Sequence, residues 1–463
     1  MTIMGAVWLA VHGLAMPTPV WANWVALLCM TAPVRTPVTP PAPFAEDPFE
    51  GKAEVKAAFR SLFPYFAAAT PPGLAERFTP DFLRAIPEPD LAKVFQELHE
   101  KYGQPRHLRL VRMTGPFAGE VELTFSKDMR VPVQVTVEAQ PSHRIGGLVF
   151  KAALRDKDSW AEIEADLKKI PGTVACTVRP LGKKAHPLLE WNGEDALAVG
   201  SSFKLLVLAT LAEELRAGRM AWQDVVKTDR RWYSLPGGIL QDWPEGSPVT
   251  LHTLAALMIS RSDNTAADHL LAHLGQKAVL DMQGRLASNP RFTRRHPQHN
   301  TPFLSTAELF KIKMKLNPEQ QQTFADASEA ERAKLLQTVV RPLSLAHPRM
   351  LTRPVHIDKI EWFYTTGDLC RIVDWLRQQE KVPHLKELLA IAPSFEVDET
   401  VWKYVGYKGG SEAGVLNYTL LLQHRSEKWY AVSITWNHAE QVSDEGRLRE
   451  MVERILRLLA KVE

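Results

Sequence analysis

The run Leu205-Leu206-Val207-Leu208-Ala209-Thr210-Leu211-Ala212-Glu213-Glu214-Leu215, closed by Gly218, sets the terms on which the rest of the chain can fold. Leu205, Leu208, Ala209, Ala212 and Leu215 recur at helical spacing, which predicts a helix that other elements must cover. At its mouth stands Ser201-Ser202-Phe203-Lys204. Helical geometry puts Ser201 and Lys204 on one face, a turn apart. A serine hydroxyl is a weak nucleophile at neutral pH, and a lysine whose pKa is lowered by burial can serve as its base. The helix N-terminus also turns backbone N–H groups toward a developing oxyanion. Taken alone, the same four residues equally describe a capping serine followed by a solvated lysine. Only motifs further along the chain can decide between the two.

With 463 residues, 45% of them hydrophobic and 24% charged, the chain has material for two or three globular domains. A net charge of +3 without a Lys/Arg block gives no reason to expect a nucleic-acid partner. Cys29, Cys176 and Cys370 lie far apart, without CxxC or His-rich metal spacing, so neither a structural zinc nor a disulfide framework is expected.

Residues 1–45 read as a leader and Pro-rich linker. Ile3 to Val11 and Val25 to Met30 are apolar, and Val20-Trp21-Ala22 could serve as a cleavage site, but a basic segment ahead of them is missing. A true signal peptide implies a periplasmic or secreted protein, and a mis-assigned start or unstructured leader implies a cytoplasmic one. Neither apolar stretch is long enough to span a bilayer, so stable membrane association is not expected. Six prolines between Pro33 and Pro48 extend the linker.

Residues 46–154 read as a separate α+β domain. Val55, Ala58, Phe59, Leu62 and Phe63 share one helical face, and Leu91, Val94, Phe95, Leu98 and Tyr102 another. Strand patterns follow at Val121–Phe125, Val131–Val137 and Arg144–Phe150. Helices first and a curved antiparallel sheet second resembles the cone-shaped fold of ketosteroid isomerases and nuclear transport factor 2 relatives. No carboxylate or tyrosine constellation marks an active site here, so a packing or substrate-shaping role is expected.

Residues 155–463 open with an amphipathic helix (Trp160, Ile163, Leu167, Ile170), then strands near Thr173–Val178 and Pro187–Trp191, then the Ser201 helix and a helical middle. Strands return at Val401–Tyr407, Gly414–Gln423 and Lys428–Trp436, before a last helix bearing Leu448, Met451, Val452, Ile455 and Leu459. This order predicts an α/β unit in which an antiparallel sheet, split between the two ends of the segment, flanks an all-helical insert.

Fifty-eight residues after Lys204 comes Ser262-Asp263-Asn264, between two predicted helices, and Lys408-Gly409-Gly410-Ser411 follows at a strand end. S-x-x-K, S-D-N and a lysine-glycine strand, in this order, make the pattern of class A β-lactamases and penicillin-binding proteins. The segment resembles that family over roughly residues 158–463, and "SRSDNTAADHLL" is similar to the family's text around the second motif. The resemblance implies Ser201 as acylated nucleophile, Lys204 as its proton acceptor and Ser262 as a proton relay. It implies Asn264 and Lys408 as ligands for the substrate's amide and carboxylate, and the N–H groups of Ser201 and Ser411, beside Gly410, as an oxyanion hole. Tyr233 falls where the family places an aromatic at the cleft edge. No cofactor or metal is implied, and the partner is a small molecule with a carboxylate. Ser262 and Asp263 also suit a plain helix cap, and Lys408 an exposed strand position.

Two departures stand out. Gly409 lacks the hydroxyl that the family uses beside the lysine to grip a carboxylate. The family's deacylating glutamate, on a loop beyond the asparagine, has no counterpart either, because Met282 to Ala307 contains no acidic residue. His296, His299 and Glu361 are the candidates for a substitute base. The resemblance therefore implies a serine hydrolase that forms an acyl-enzyme on a β-lactam or related amide or ester and releases it slowly. The alternatives are a penicillin-recognising protein without turnover, or an esterase or peptidase acting on cell-wall or natural-product intermediates.

Overall fold

The computed structural model describes residues 51–462 except 128, 152, 156–157, 183–185, 288–299, 346–350 and 396. Cys29, His296, His299 and the leader thus lie outside the described residues. These residues divide into two compact units, one running to Ser159 with Arg449–Arg454, the other comprising Trp160–Leu448 and the chain from Ile455.

In the smaller unit, the helix Lys52–Arg60 buries Val55 and Phe59, and the helix Glu88–Tyr102 buries Leu91, Val94, Phe95, Leu98 and Tyr102. Strands β1 (Pro105–Gly115), β2 (Ala118–Phe125), β3 (Met129–Val137) and β4 (Ile145–Phe150) form an antiparallel sheet in chain order, and β5 (Leu154–Arg155) pairs with β3. The alternation in β3 is strict: Met129, Val131, Val133, Val135 and Val137 all point inward. They close over a cluster in which Phe66 packs edge-on against Phe95 at 4.7 Å and Phe125 at 5.6 Å. β1 is a strand that the sequence pattern does not announce. Register shifts at three places along its pairing with β2 break the period of two that marks a strand.

The larger unit is built on a five-stranded antiparallel sheet ordered β12-β13-β14-β6-β7. β6 (Thr173–Leu181) and β7 (Leu189–Trp191) come from the start of the segment, whereas β12 (Trp402–Glu412), β13 (Val415–His424) and β14 (Trp429–Asn437) come from its end. The split sheet is therefore present, but β12 runs on to Glu412, so Lys408–Ser411 lie within a strand rather than at its end. Shorter ladders join β8 (Leu197–Ala198) to β11 (Phe363–Tyr364), and β9 (Val225–Lys227) to β10 (Pro248–Thr250).

The helix Lys204–Arg216 lies in the main core, and every residue from Lys204 to Ala212 is buried. Its apolar spacing suggests one covered face. Its surroundings cover all of them, with the helices Asn264–Leu274, Gln276–Leu286 and Thr366–Arg377 packed around it. Among the described residues no helix is long and apolar enough to cross a membrane.

Candidate active site

The nucleophile candidate sits in a 3₁₀ turn, Gly200–Phe203, that leads into the helix. Two glycines let this turn touch β12. A Cβ on Gly410 would stand 2.0 Å from the Val199 carbonyl oxygen and 2.7 Å from the amide nitrogens of Ser201 and Ser202. Gly200, at φ +50°, comes as close from the other side, since its Cβ would lie 3.1 Å from the Ser411 amide nitrogen. The Ser201 and Ser411 amides thus flank one glycine contact. Stacking of Phe203 on Trp362 at 3.9 Å and the bond from the Val199 amide to the Trp362 carbonyl steady the turn. Gly410→Ala is expected to cost about 1–3 kcal/mol of stability through overpacking and to spoil the turn. Thermal melting alongside reaction of Ser201 with an acylating reagent checks this.

Lys204 is fully buried and its Nζ has four neighbours. Two are pure acceptors at 2.6 Å, the Asn264 Oδ1 and the Ser262 carbonyl. Two are hydroxyls, Ser201 Oγ at 3.2 Å and Ser262 Oγ at 3.3 Å. A neutral amine has two hydrogens for the acceptors and a lone pair left for a hydroxyl that donates. Burial favours that form and brings the Lys204 pKa down to about 7, although the Asp263 and Asp268 carboxylates pull it upward. Lys408, also buried, donates to Ser262 Oγ at 3.0 Å and to the Gly409 carbonyl at 2.5 Å. Burial and the neighbouring Lys204 charge hold its pKa well below the usual lysine range. The Ser262 hydroxyl therefore bridges two amines.

Local geometry explains why these side chains converge. Ser262 adopts φ +52°, a left-handed conformation that a serine holds at a cost, and it redirects the chain between the helices Leu251–Ser260 and Asn264–Leu274. Asp263 caps the second helix through the Ala266 amide at 2.8 Å. The same carboxylate accepts from the amides of Ile239 at 2.7 Å and Leu240 at 2.9 Å, and any side chain on Gly238 would collide with it. The capping reading of Asp263 and the clustering of Ser262 with the lysines thus both hold. Asn264 spends its Nδ2 on the Pro236 carbonyl. Asp268, one helical turn beyond Asn264, accepts from the amides of Thr306 at 2.7 Å and Ala307 at 2.9 Å, and burial raises its pKa to about 7.

Tyr233 is half-buried, with its hydroxyl donating to the Trp243 carbonyl at 2.9 Å and its ring 6.1 Å from that of His269. It lies in the segment that reaches the cluster through Pro236, but its own hydroxyl is directed elsewhere. Glu361 differs from the expectation of a free base. It is buried, bonded to Lys313 Nζ at 2.7 Å and to the Trp362 amide at 3.2 Å, and Glu412 engages the same lysine. Burial and repulsion from Glu361 raise the Glu412 pKa to about 8. A carboxylate committed to a buried ion pair is a poor collector of water protons. Cys176 and Cys370 are buried free thiols whose pKa values burial raises. Among the described residues no cluster of His, Cys, Asp or Glu could hold a metal ion.

Three features are not among the motif-based expectations: the Pro236 carbonyl under Asn264, the two lysines sharing Ser262 Oγ, and Tyr407, whose hydroxyl lies where a side chain on Gly409 would be. Only the last has a signal in the sequence, a tyrosine two residues before a glycine on one face of a strand.

Residues 158–350 match the model of a family described as the Beta-lactamase enzyme family (Beta-lactamase2). The matched stretch includes Ser201, Lys204, Ser262 and Asn264 and stops short of β12. Solved structures with related coordinates include the β-lactamase from Sphaerobacter thermophilus, at 19% identity over 66% of this chain and 98% of that one, with a TM-score of 0.44. A mutant of PBP-A in acyl-enzyme complex with penicillin G gives 14% identity, 65% and 96% coverage, and a TM-score of 0.43. An ancestral (GNCA) class A β-lactamase gives 16%, 66% and 100%, with a TM-score of 0.44. No curated protein is matched. The match over residues 158–350 supports a β-lactamase-like α/β fold for that stretch.

Proposed function

We propose that the larger unit is a serine hydrolase that forms an acyl-enzyme at Ser201 with a β-lactam or a related small amide or ester. One observation carries this reading: a fully buried lysine amine, its pKa near neutrality, stands 3.2 Å from the serine hydroxyl. Lys204 Nζ takes the Ser201 proton as Oγ attacks the carbonyl carbon. The carbonyl electron pair moves onto oxygen, which the Ser201 and Ser411 amides stabilise. As the carbon–nitrogen or carbon–oxygen bond breaks, Ser262 gives its proton to the leaving atom and recovers one from Lys204, to which it is hydrogen-bonded. Lys408 Nζ meets a substrate carboxylate, whose negative charge favours the ammonium form that burial alone disfavours, and Asn264 orients the acyl amide with the Nδ2 hydrogen that the Pro236 carbonyl does not take.

Hydrolysis of the acyl-enzyme is the slow half of the cycle in this reading. The Met282–Ala307 stretch has no acidic residue, and the Glu361 carboxylate is engaged by Lys313. Penicillin recognition with little turnover is the natural extreme of the same chemistry.

The test is intact-protein mass after exposure to benzylpenicillin and, separately, to a fluorophosphonate. A single adduct mapped to Ser201 is expected, lost in Ser201→Ala and retained in Ser202→Ala. The Ser202 hydroxyl is fully buried and faces the Lys408 carbonyl at 3.5 Å, so it cannot replace its neighbour. Labelling that persists in Ser201→Ala refutes the assignment.

A further inference from the structure

We infer that Lys313 is a positioning residue for the oxyanion hole, because its buried ammonium pins the segment that props the Ser201 turn to the strand end that carries the Ser411 amide. The inference rests on the acyl-enzyme reading and adds to it what sets the spacing of the two amides. Lys313 belongs to the helix Thr306–Lys315, and its Nζ bonds Glu361 Oε1 at 2.7 Å and also Glu412 Oε1. The side chains of Lys313 and Glu361 are wholly buried, and that of Glu412 nearly so. Glu361 stands just ahead of β11, and Glu412 is the last residue of β12. β11 and β12 belong to different sheets, so the lysine supplies a link that no backbone ladder provides.

Each carboxyl is one residue away from a part of the hole. Glu361 Oε2 accepts from the Trp362 amide at 3.2 Å, and Trp362 holds the turn by stacking on Phe203 and accepting from the Val199 amide at 3.0 Å. Glu412 directly follows Ser411, whose amide lies beside Gly200 at the start of the same turn. Charge makes this joint conditional, since one buried ammonium balances only one carboxylate. Burial, together with repulsion from Glu361 and a hydrogen bond to it, raises the Glu412 pKa to about 8 against the pull of Lys313. Among the described residues, Lys313 and Glu361 are the charged groups that act on Glu412. Below that value Glu412 is a carboxylic acid, the triad is neutral and the joint holds. As pH rises through it, two carboxylates face one buried ammonium, and the surplus charge is relieved when Glu412 turns outward and draws the end of β12 with it.

The experiment follows the rate of Ser201 acylation by benzylpenicillin against pH, read by intact mass, in the full chain and in its Glu412→Gln and Lys313→Met variants. Glutamine keeps a carbonyl for Lys313 and a donor for Glu361, and it never ionises. In the parent, the plateau that Lys204 provides is expected to end near the Glu412 value of about 8, with the rate falling about ten-fold per unit above it. In Glu412→Gln that alkaline fall is expected to vanish, whatever the rate at neutrality. A purely structural Glu412 would lower the melting temperature without changing the shape of the profile. Lys313→Met leaves two carboxyls without their cation and is expected to slow acylation at neutrality about 10²-fold, as for loss of one oxyanion donor, with the apparent Kd for penicillin within about two-fold. Should Lys313→Met fail to fold, the Glu412→Gln profile decides alone. A parent rate that stays level above the Glu412 value, an alkaline fall retained in Glu412→Gln, or an unchanged rate in folded Lys313→Met overturns the inference and leaves the acyl-enzyme reading standing. If benzylpenicillin modifies Ser201 at no pH in the parent protein, the acyl-enzyme reading falls and this inference falls with it.

Discussion

Lys204→Met is expected to slow acylation of Ser201 by about 10²- to 10⁴-fold, the range that a positioned general base contributes. Methionine keeps the length and apolar stem of lysine, so the buried helix should tolerate it better than alanine, although Asn264 Oδ1 and the Ser262 carbonyl each lose a donor. In the parent protein the rate should depend on pH in a defined direction. Only the neutral amine can accept the serine proton, and the Lys204 pKa is brought down to about 7. Acylation should therefore fall about ten-fold per unit as pH drops below that value and level off above it. Stopped labelling with benzylpenicillin on both sides of neutrality, read by mass, checks both parts. A rate that stays flat through neutrality would mean that Lys204 is not the base, whatever its distance.

The second large effect concerns release. With a chromogenic cephalosporin, a burst of about one equivalent per protein should precede a slow phase, because acylation has its full set of groups and hydrolysis lacks an evident base. Removing a base of that kind typically costs about 10²- to 10⁴-fold, so the slow phase should lag the burst by about a thousand-fold. Glu361→Gln should leave the slow phase within about two-fold, since its carboxylate belongs to the Lys313 pair and not to a water-activating position. Linear turnover from the first instant, without a burst, contradicts the slow-release reading. It would direct attention to His296 and His299, which are then replaced one at a time.

Much of the larger unit is legible in the sequence because its signals are local. Ser201 and Lys204 lie one turn apart at the start of an apolar run, Ser262-Asp263-Asn264 combines a turn with a cap, and the strands β13 and β14 carry apolar runs such as Leu420–Leu422 and Tyr430–Val432. Such patterns depend on residues a few positions apart, which a sequence displays directly. Distances between separate motifs are another matter. That Lys204 and Lys408 share one hydroxyl results from how β12 docks on the Gly200 turn, and neither motif contains that information. β1 is hidden because bulges disturb its period, and Tyr407 because its significance lies in the space above Gly409. Glu361 looks free in the sequence because its partners, Lys313 and Glu412, are 48 and 51 positions away.

The enclosure on all sides of the Lys204–Ala212 stretch of the central helix bears on how the protein loses function under stress. A helix frays or opens locally where one side meets solvent, and amides in such places exchange without the domain unfolding. From Lys204 to Ala212 this helix has no such side. The serine at its mouth can lose its alignment with the lysine only when the core around both is breached. Heat or denaturant should leave the nucleophile competent up to the cooperative transition and abolish it there, so that the chemistry itself is a gauge of whether the larger unit is folded.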